Sequence, residues 1–461
     1  MSERDTIVAV ATANGAAGIG VVRLSGPRAK PIAEALCATE RPFVARQARY
    51  ARFHDAGGEV IDDGLVIAFD GPRSFTGEDV VELQGHGNPR LLAQVVARCL
   101  ALGARAARPG EFSERAFLEG KLDLAQAEAV ADLITASSDA ALRAARRSLD
   151  GVFRARVDEL VEALTLLRVH VEAAIDFPEE EIDFLAAPEL AARLARVEAL
   201  HRALHRDAAR GVRLVDGLHV VIVGAPNAGK SALMNALAGA ERAIVTPIAG
   251  TTRDVLRDVV RIDGVELTLV DTAGLRETQD VVEAEGIRRA RAEVAKADLV
   301  LAVLDDREAE AAMARLRDEL AVPSTTNAPR PERPALLWLH THADLTGAAG
   351  HEQHGADGHH LWIDTPRGIG LDALRAALRD AAGAGEGADS GGAFSARARH
   401  VDAIVRVGTH LVDAAMQLRA RQGELAAEDL RLAQDALGEI TGRVSSDALL
   451  GRIFSSFCIG K

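Results

Sequence analysis

Between His219 and Ser231 the chain reads HVVIVGAPNAGKS. An unbroken apolar run predicts a buried strand, and the segment Gly224 to Ser231 that follows has the spacing G-x-x-x-x-G-K-[ST] ahead of a helical stretch. A strand that turns through glycines into a helix aims backbone N–H groups and the positive end of the helix at one point, a cradle for phosphate oxygens. Glycine is needed because a Cβ would block the inward-turned amides. Lys230 adds a full charge at the outer phosphates, and the Ser231 hydroxyl can ligate Mg²⁺. A chance match in a chain with 41 glycines is the competing reading. The strand before and the helix after argue against it.

Two downstream segments fit the same chemistry. Asp271-Thr272-Ala273-Gly274 ends an apolar run at Glu266–Val270, so its aspartate stands at a strand's C-terminal end, where it reaches Mg²⁺. Between it and the glycine-rich loop lies Gly250-Thr251-Thr252-Arg253-Asp254, in the place of a switch that orders around a triphosphate. A plain strand edge is the blander reading of its Thr-Thr pair. Leu275 occupies the position where many small GTPases carry a water-orienting glutamine, which leaves Glu277, Glu283 and Glu285 as nearby carboxylates. Thr341-His342-Ala343-Asp344 follows another strand-like run, Ala335–His340. An aspartate there can accept from guanine N1 and N2, which favours guanine over adenine; the alternative is a helix-capping aspartate. His342 stands where lysine is usual, and Asp364-Thr365-Pro366 stands where a Ser-Ala pair usually supports the base.

The chain has 461 residues, which at about 150 per domain suggests roughly three domains. With 48% apolar and 26% charged residues it has globular composition. Residues 1–118 predict an α/β domain, with strand-like runs at Thr6–Ala11, Gly18–Leu24, Arg49–Asp55, Glu59–Ala68 and Val80–Leu83. Gly57-Gly58 is a hairpin signal, and Asn88-Pro89 opens a helix that runs to Gly103. Residues 119–214 turn helical: Val157, Leu160, Val161, Leu164, Leu167, Val171 and Ile175 keep one face, interrupted at Pro178, and suggest an antiparallel bundle. Residues 215–380 alternate strands, including Leu299–Leu304 and His360–Ile363, with helices as in a doubly wound α/β domain. Pro323–Pro334 reads as a loop and Gly383–Gly392 as a linker. Helical spacing resumes over 393–461, so the nucleotide domain is expected to be inserted into a helical one.

The net charge of −14 excludes nucleic-acid binding through the overall field. Three cysteines, Cys37, Cys99 and Cys458, give no disulfide framework; Cys99 falls on an apolar helix face. The N-terminus lacks a leader-type apolar core and no run approaches a membrane span, so a cytoplasmic protein is expected.

The motifs and their flanks resemble the tRNA-modification GTPase family MnmE, also called TrmE. The resemblance covers nearly the whole chain, from DTIVAVAT through FTGEDVVELQGHG, RPGEFSERAFLEGKLDLAQAEAVADLI, GAPNAGKSALMNAL, IAGTTRDVL and DTAGLRET to the terminal LLGRIFSSFCIGK. It implies a dimerising N-terminal α/β domain that binds a reduced folate, a helical domain built from both flanks, and an inserted G domain. It implies a homodimer that acts on tRNA with the flavoprotein MnmG, whose FAD stays on that partner, to build the carboxymethylaminomethyl or aminomethyl group at carbon five of wobble uridine. GTP contacts carry over to Asn227, Ala228, Gly229, Lys230, Ser231 and Ala232, to Thr246, Pro247, Ile248, Ala249, Gly250, Thr251 and Thr252, to Asp271, Thr272, Ala273 and Gly274, and to Thr341 and Asp344. Ser231 and Thr252 match Mg²⁺ ligands. Asn227, Thr246, Ile248 and Thr251 match ligands of a K⁺ ion whose charge replaces an arginine finger. Glu283, otherwise readable as a solvated helix carboxylate, matches a catalytic water-positioning glutamate, and Lys230 is the other position that carries over as catalytic. Folate positions carry over as Arg23, Glu82, Lys121 and Lys461, each also readable as a surface charge. Cys458 is either a functional thiol or a structural one. Pro247 departs from the aspartate frequent in relatives. A GTP-dependent assembly factor without base chemistry, and a folate-binding protein with a degenerate G domain, are the competing functions.

Overall fold

The computed structural model describes residues 5–176, 188–238, 257–262, 265–271, 292–320, 335–355, 358–383, 393–444, 447–457 and 460. The chain divides into two compact units: Met1–Ala131 with Leu149–His201 and Ala403–Lys461, and Asp132–Ser148 with Arg202–Asp402.

In the first unit, β1 (Ile7–Val10), β2 (Ala17–Ser25), β3 (Arg49–His54), β4 (Val60–Phe69), β5 (Val80–Gly87) and β6 (Arg105–Ala106) form a sheet in the order β3-β4-β5-β2-β1-β6. The β3–β4 hairpin closes on Asp55, whose Oδ1 accepts the N–H groups of Gly57 and Glu59 at 2.8 and 2.9 Å. Helices α1 (Ala29–Leu36) and α2 (Pro89–Ala101) share a core with the sheet, Ile32, Leu36, Leu92, Val95 and Cys99 meeting Val22, Leu24, Val66 and Leu83. Asn88 caps α2 by accepting the N–H of Arg90, with Pro89 in the first turn, and Gly103 follows the helix end at φ 100°.

Helices α3 (Glu111–Leu118) and α4 (Leu124–Thr135) follow, and then α5 (Asp139–Leu149), α6 (Val152–Asp176) and α7 (Pro188–Asp216). On α6, Val157, Leu160, Leu164, Leu167 and Val171 are buried, the face expected from their spacing, while Val161 and Ile175 are half-buried. That face packs on α13 (Gly423–Thr441), where Gln434 donates to the Thr165 hydroxyl at 2.7 Å. His201 on α7 reaches the Ile404 carbonyl of α12 (Ala398–Arg419) at 2.8 Å. The last helix, α14 (Asp447–Ser455), buries Ile453 and Phe454 against Leu124 and Ala127.

The second unit holds β7 (Leu218–Gly224), β8 (Arg257–Ile262), β9 (Val265–Asp271), β10 (Leu299–Asp305), β11 (Ala335–Thr341), β12 (Glu352–Gly355) and β13 (Gly358–Trp362), in the order β12-β13-β11-β10-β7-β9-β8. The two edge strands, β8 and β12, are antiparallel to their neighbours and the inner pairings are parallel. Helices α8 (Lys230–Ala238), α9 (Ala309–Leu320), α10 (Ala343–Thr346) and α11 (Leu371–Ala381) alternate with the strands. The run at β7 is apolar throughout because both of its faces are covered: Val220 and Ile222 join Leu233, Leu301 and Leu374 on one side, Val221 and Val223 join Leu316 and Trp338 on the other.

The architecture is the expected one, with differences at the sheet edges. Strands β6, β8 and β12 were not anticipated. β13 begins at Gly358 and ends before Ile363, earlier than the expected His360–Ile363. The expected break at Pro178, the loop Pro323–Pro334 and nearly all of the linker lie outside the described residues. Among the described residues no helix is long and apolar enough to cross a membrane.

Candidate nucleotide site

β7 is the strand at which the sheet changes its direction of growth: β9 lies on one side, with Asp271 opposite Ile222, and β10 on the other, with Val303 opposite Gly224. A loop leaving the C-terminal end of such a strand opens into the crevice where ligands bind α/β sheets. Gly224 is forced by space, since a Cβ there would stand 2.4 Å from the Val303 carbonyl oxygen. Asn227 and Gly229 adopt left-handed φ values of 64° and 85°, which curl the loop so that α8 starts at Lys230.

Lys230 is buried, and its Nζ lies 2.9 Å from the Gly224 oxygen and 2.7 Å from the Ala225 oxygen. The ammonium thus clasps the loop's own carbonyls, beside the helix terminus where an anion is favoured. Asn227, Ser231 and Ala232 are exposed and Ala228 is buried. Thr341, expected as a nucleotide contact, is buried behind the loop: its Oγ1 lies 2.8 Å from the Ala228 oxygen and 2.9 Å from the Leu304 oxygen. One hydroxyl proton serves one carbonyl at a time, so the threonine braces the loop.

Asp344 is exposed on α10, and His342 enters that turn at φ 54°, a conformation costly for a residue with a Cβ. Beneath the turn lies a polar network that the sequence reading missed. Asp306 Oδ1 accepts the indole N–H of Trp362 at 2.9 Å and faces His340 Nδ1 at 3.0 Å, and Oδ2 accepts the Thr346 hydroxyl. Burial pulls the His340 pKa below its ordinary value against the pull of Asp306, which favours the neutral ring. A neutral ring that donates from Nδ1 to Asp306 must accept at Nε2, where His360 Nδ1 stands at 3.1 Å. His340 also stacks on Trp362 with centroids 4.2 Å apart. Ile363 donates its N–H to the His340 carbonyl at 2.8 Å, which sets the start of the Asp364-Thr365-Pro366 segment beside the same turn. The only sequence hint was the density of His and Trp in 338–362.

The first unit holds the other predicted cluster. Arg23 and Glu82 are cross-strand partners on β2 and β5, paired at 2.8 Å with side chains about a fifth exposed. The guanidinium lies 5.5 Å from the Phe75 ring centroid and 5.8 Å from that of Phe112. Lys121 donates to the Pro72 carbonyl at 3.0 Å, on the loop that carries Phe75. Gly460 packs so tightly on β1 that a Cβ would stand 2.1 Å from the Val10 oxygen. Cys458 and Lys461 lie outside the described residues, as do Thr246, Pro247, Ile248, Ala249, Gly250, Thr251, Thr252, Thr272, Ala273, Gly274, Leu275, Glu277, Glu283 and Glu285; of Asp271 only the backbone is described.

Comparison with known proteins covers both units. A family model of the GTP-binding protein TrmE N-terminus matches residues 6–121, and one of the MnmE helical domain matches residues 124–458. The chain is 58% identical over 458 residues to a tRNA modification GTPase MnmE of Xanthomonas campestris pv. campestris (strain B100), covering 99% of each chain. Identity is 55% over 462 residues to that of Xanthomonas oryzae pv. oryzae (strain KACC10331 / KXO85), covering all of both. It is 54% over 459 residues, 99% of each, to that of Pseudomonas aeruginosa (strain UCBPP-PA14). Among solved structures, the G domain of the T. maritima FeoB iron transporter aligns with 36% of this chain and 98% of its own at 23% identity and a TM-score of 0.27, too low to weigh in the argument.

Proposed function

The chain belongs to the family of the tRNA modification GTPase MnmE, and from that premise we propose that it hydrolyses GTP to GDP and phosphate in the modification of tRNA. The observation that carries the reading is the clasped loop: Lys230 drawn onto Gly224 and Ala225 at a strand end that tolerates no Cβ. When triphosphate enters, the ammonium exchanges those carbonyls for phosphate oxygens, which are the stronger, charged acceptors. The N–H groups of the loop and of the first turn of α8 hold the remaining oxygens. The exposed Ser231 hydroxyl and Thr252 would hold Mg²⁺, whose chemistry is to neutralise charge on the phosphates. Asp344 would accept from guanine N1 and N2; its exposure, on a turn tied from below through Thr346 and Asp306, supports that role.

The finer reading extends the family resemblance. The modification is the carboxymethylaminomethyl or aminomethyl group at carbon five of wobble uridine, made with the flavoprotein MnmG and a one-carbon unit from reduced folate. The half-open Arg23–Glu82 pair beside Phe75 supports the folate assignment: a carboxylate to accept from a pterin's donors, and an aromatic face beside it. Lys121 and Lys461 would meet the folate's glutamate tail. K⁺ would be held by Asn227, Thr246, Ile248 and Thr251 when two G domains meet in a homodimer, with Glu283 positioning water. The exposed Asn227 side chain at a left-handed backbone position favours that role. The protein is read as cytoplasmic, with domains at 1–118, 119–214, 215–380 and 393–461.

The test is GTP turnover in K⁺ and in Na⁺, with and without the purified flavoprotein, alongside wobble-nucleoside analysis of tRNA from a deletion strain. Turnover stimulated by K⁺, and loss of the modified uridine, are expected. Equal rates in Na⁺ would remove the potassium mechanism, and unchanged nucleosides would favour an assembly factor.

A further inference from the structure

Strand alternation divides the β12–β13 hairpin into two faces. His360 points inward to the network under the Asp344 turn, so His359 and its cross-strand partner His354 share the opposite face with Glu352, two residues before His354. The two imidazoles stack with centroids 4.0 Å apart. Both present Nε2 to one oxygen: Glu352 Oε1 is 2.8 Å from His359 Nε2 and 3.5 Å from His354 Nε2. All three donor atoms lie within 4.8 Å of one another.

The geometry points to a transition-metal site formed by Glu352, His354 and His359, taking Zn²⁺ or a similar borderline divalent cation. Donors around a tetrahedral Zn²⁺ at about 2.0–2.1 Å stand about 3.3 Å apart, close to the two distances found here. Binding needs each neutral ring to hold its single proton on Nδ1, so that Nε2 offers its lone pair to the ion; a ring whose proton sits on Nε2 facing Glu352 loses it there to solvent and takes one up on Nδ1. Two imidazoles and a carboxylate leave a fourth position for water, the donor set of an open zinc site. Imidazole nitrogen selects Zn²⁺, Ni²⁺ or Cu²⁺ over Mg²⁺, which keeps oxygen ligands, so this site is chemically distinct from a magnesium site at the phosphates. Of the other His–carboxylate groups among the described residues, Asp62/Asp63/His86 and His410/Asp413/Asp429, each offers a single imidazole. An ion here would tie the edge strand β12 to β13, which carries His360 and Trp362 into the network beneath Asp344.

The experiment is calorimetric titration of Zn²⁺ into the full-length protein with excess MgCl₂, in a buffer that does not chelate. One saturable site is expected, lost in His354→Asn and in His359→Asn and weakened in Glu352→Gln. It should persist in His86→Asn and His410→Asn. As a second measurement that needs no variant, Zn²⁺ but not Mg²⁺ should shield His354 and His359 of the unaltered protein from diethylpyrocarbonate, mapped by mass spectrometry. Unchanged binding in the His354→Asn/His359→Asn double variant, or equal labelling of both histidines with and without Zn²⁺, overturns the proposal.

Discussion

Trp362 donates its indole N–H to Asp306 across 56 residues of sequence, onto the same carboxylate oxygen that faces His340 Nδ1. One side chain at the end of β10 thereby ties β11, β13 and, through Thr346, α10. Asp306→Ala would leave the Trp362 indole N–H and His340 Nδ1 without their acceptor, at a cost of about 2–4 kcal/mol by the usual penalty for buried unsatisfied groups, while the exposed Thr346 hydroxyl keeps the Ala343 carbonyl at 3.3 Å. Asp306→Asn should cost less, because its carbonyl still serves Trp362 and His340 while its amide can donate to the Thr346 hydroxyl. Urea unfolding of the two variants checks this order. The KM for GTP should rise in both, since the turn that carries Asp344 loses its anchor.

Removal of the clasping charge separates binding chemistry from folding. Lys230→Ala should lower GTP turnover by about 10²–10³-fold, the magnitude typical of one preorganised electrostatic donor. The loop carbonyls of Gly224 and Ala225 lose only a partner that nucleotide itself would draw away. The thermal midpoint without nucleotide should therefore move little, whereas its rise on adding GTP should disappear. A differential scanning fluorimetry series with and without GTP reads both.

Gly224→Ala tests the opposite case, a loop lost through packing. The added methyl meets a backbone oxygen of β10 at 2.4 Å, and a carbonyl inside a parallel sheet cannot swing aside. A loss of about 1–3 kcal/mol is expected for such overpacking, together with weakened nucleotide binding. Gly229→Ala should disturb the sheet less, because its Cβ would meet the Thr341 side chain at 3.4 Å, ordinary contact; its cost comes from the left-handed φ of 85°.

The phosphate loop and the central strands were legible because their signals are local: the motif spans eight neighbouring positions, and β7, β10 and β11 are apolar on both faces. The edge strand β12 was invisible, since Glu352–Gly355 is exposed at every position and carries no apolar alternation. The Asp306 network was invisible for another reason. Its partners lie 34 and 56 residues away, and no spacing rule announces which buried histidine will meet which carboxylate. Arg23 and Glu82, 59 residues apart, were named together only through family resemblance; their register on β2 and β5 supplies the physical reason they meet.

Glu111 gives the first unit an acid-sensitive tie. It is buried at the start of α3 and takes N–H donors from Arg105 at 2.6 and 3.0 Å, from the Arg108 backbone at 2.8 Å and from Arg115 at 3.2 Å. Burial alone would raise its pKa, but the Arg105 guanidinium, the Arg108 N–H and Arg115 outweigh it and hold the carboxyl near about 2, against an ordinary value of 4.5. A group ionised more readily in the folded state than in the unfolded chain contributes its full stability above the unfolded value, and that contribution fades as pH falls through the folded one. The shift corresponds to about 3 kcal/mol at neutral pH. Glu111→Gln should therefore destabilise the protein by up to about that amount at pH 7, and the gap to the unaltered chain should narrow steadily between pH 4.5 and pH 2. Urea unfolding of both proteins across that range measures it. A gap that stays constant with pH would mean that lost packing, and not the ionised carboxylate, accounts for the difference.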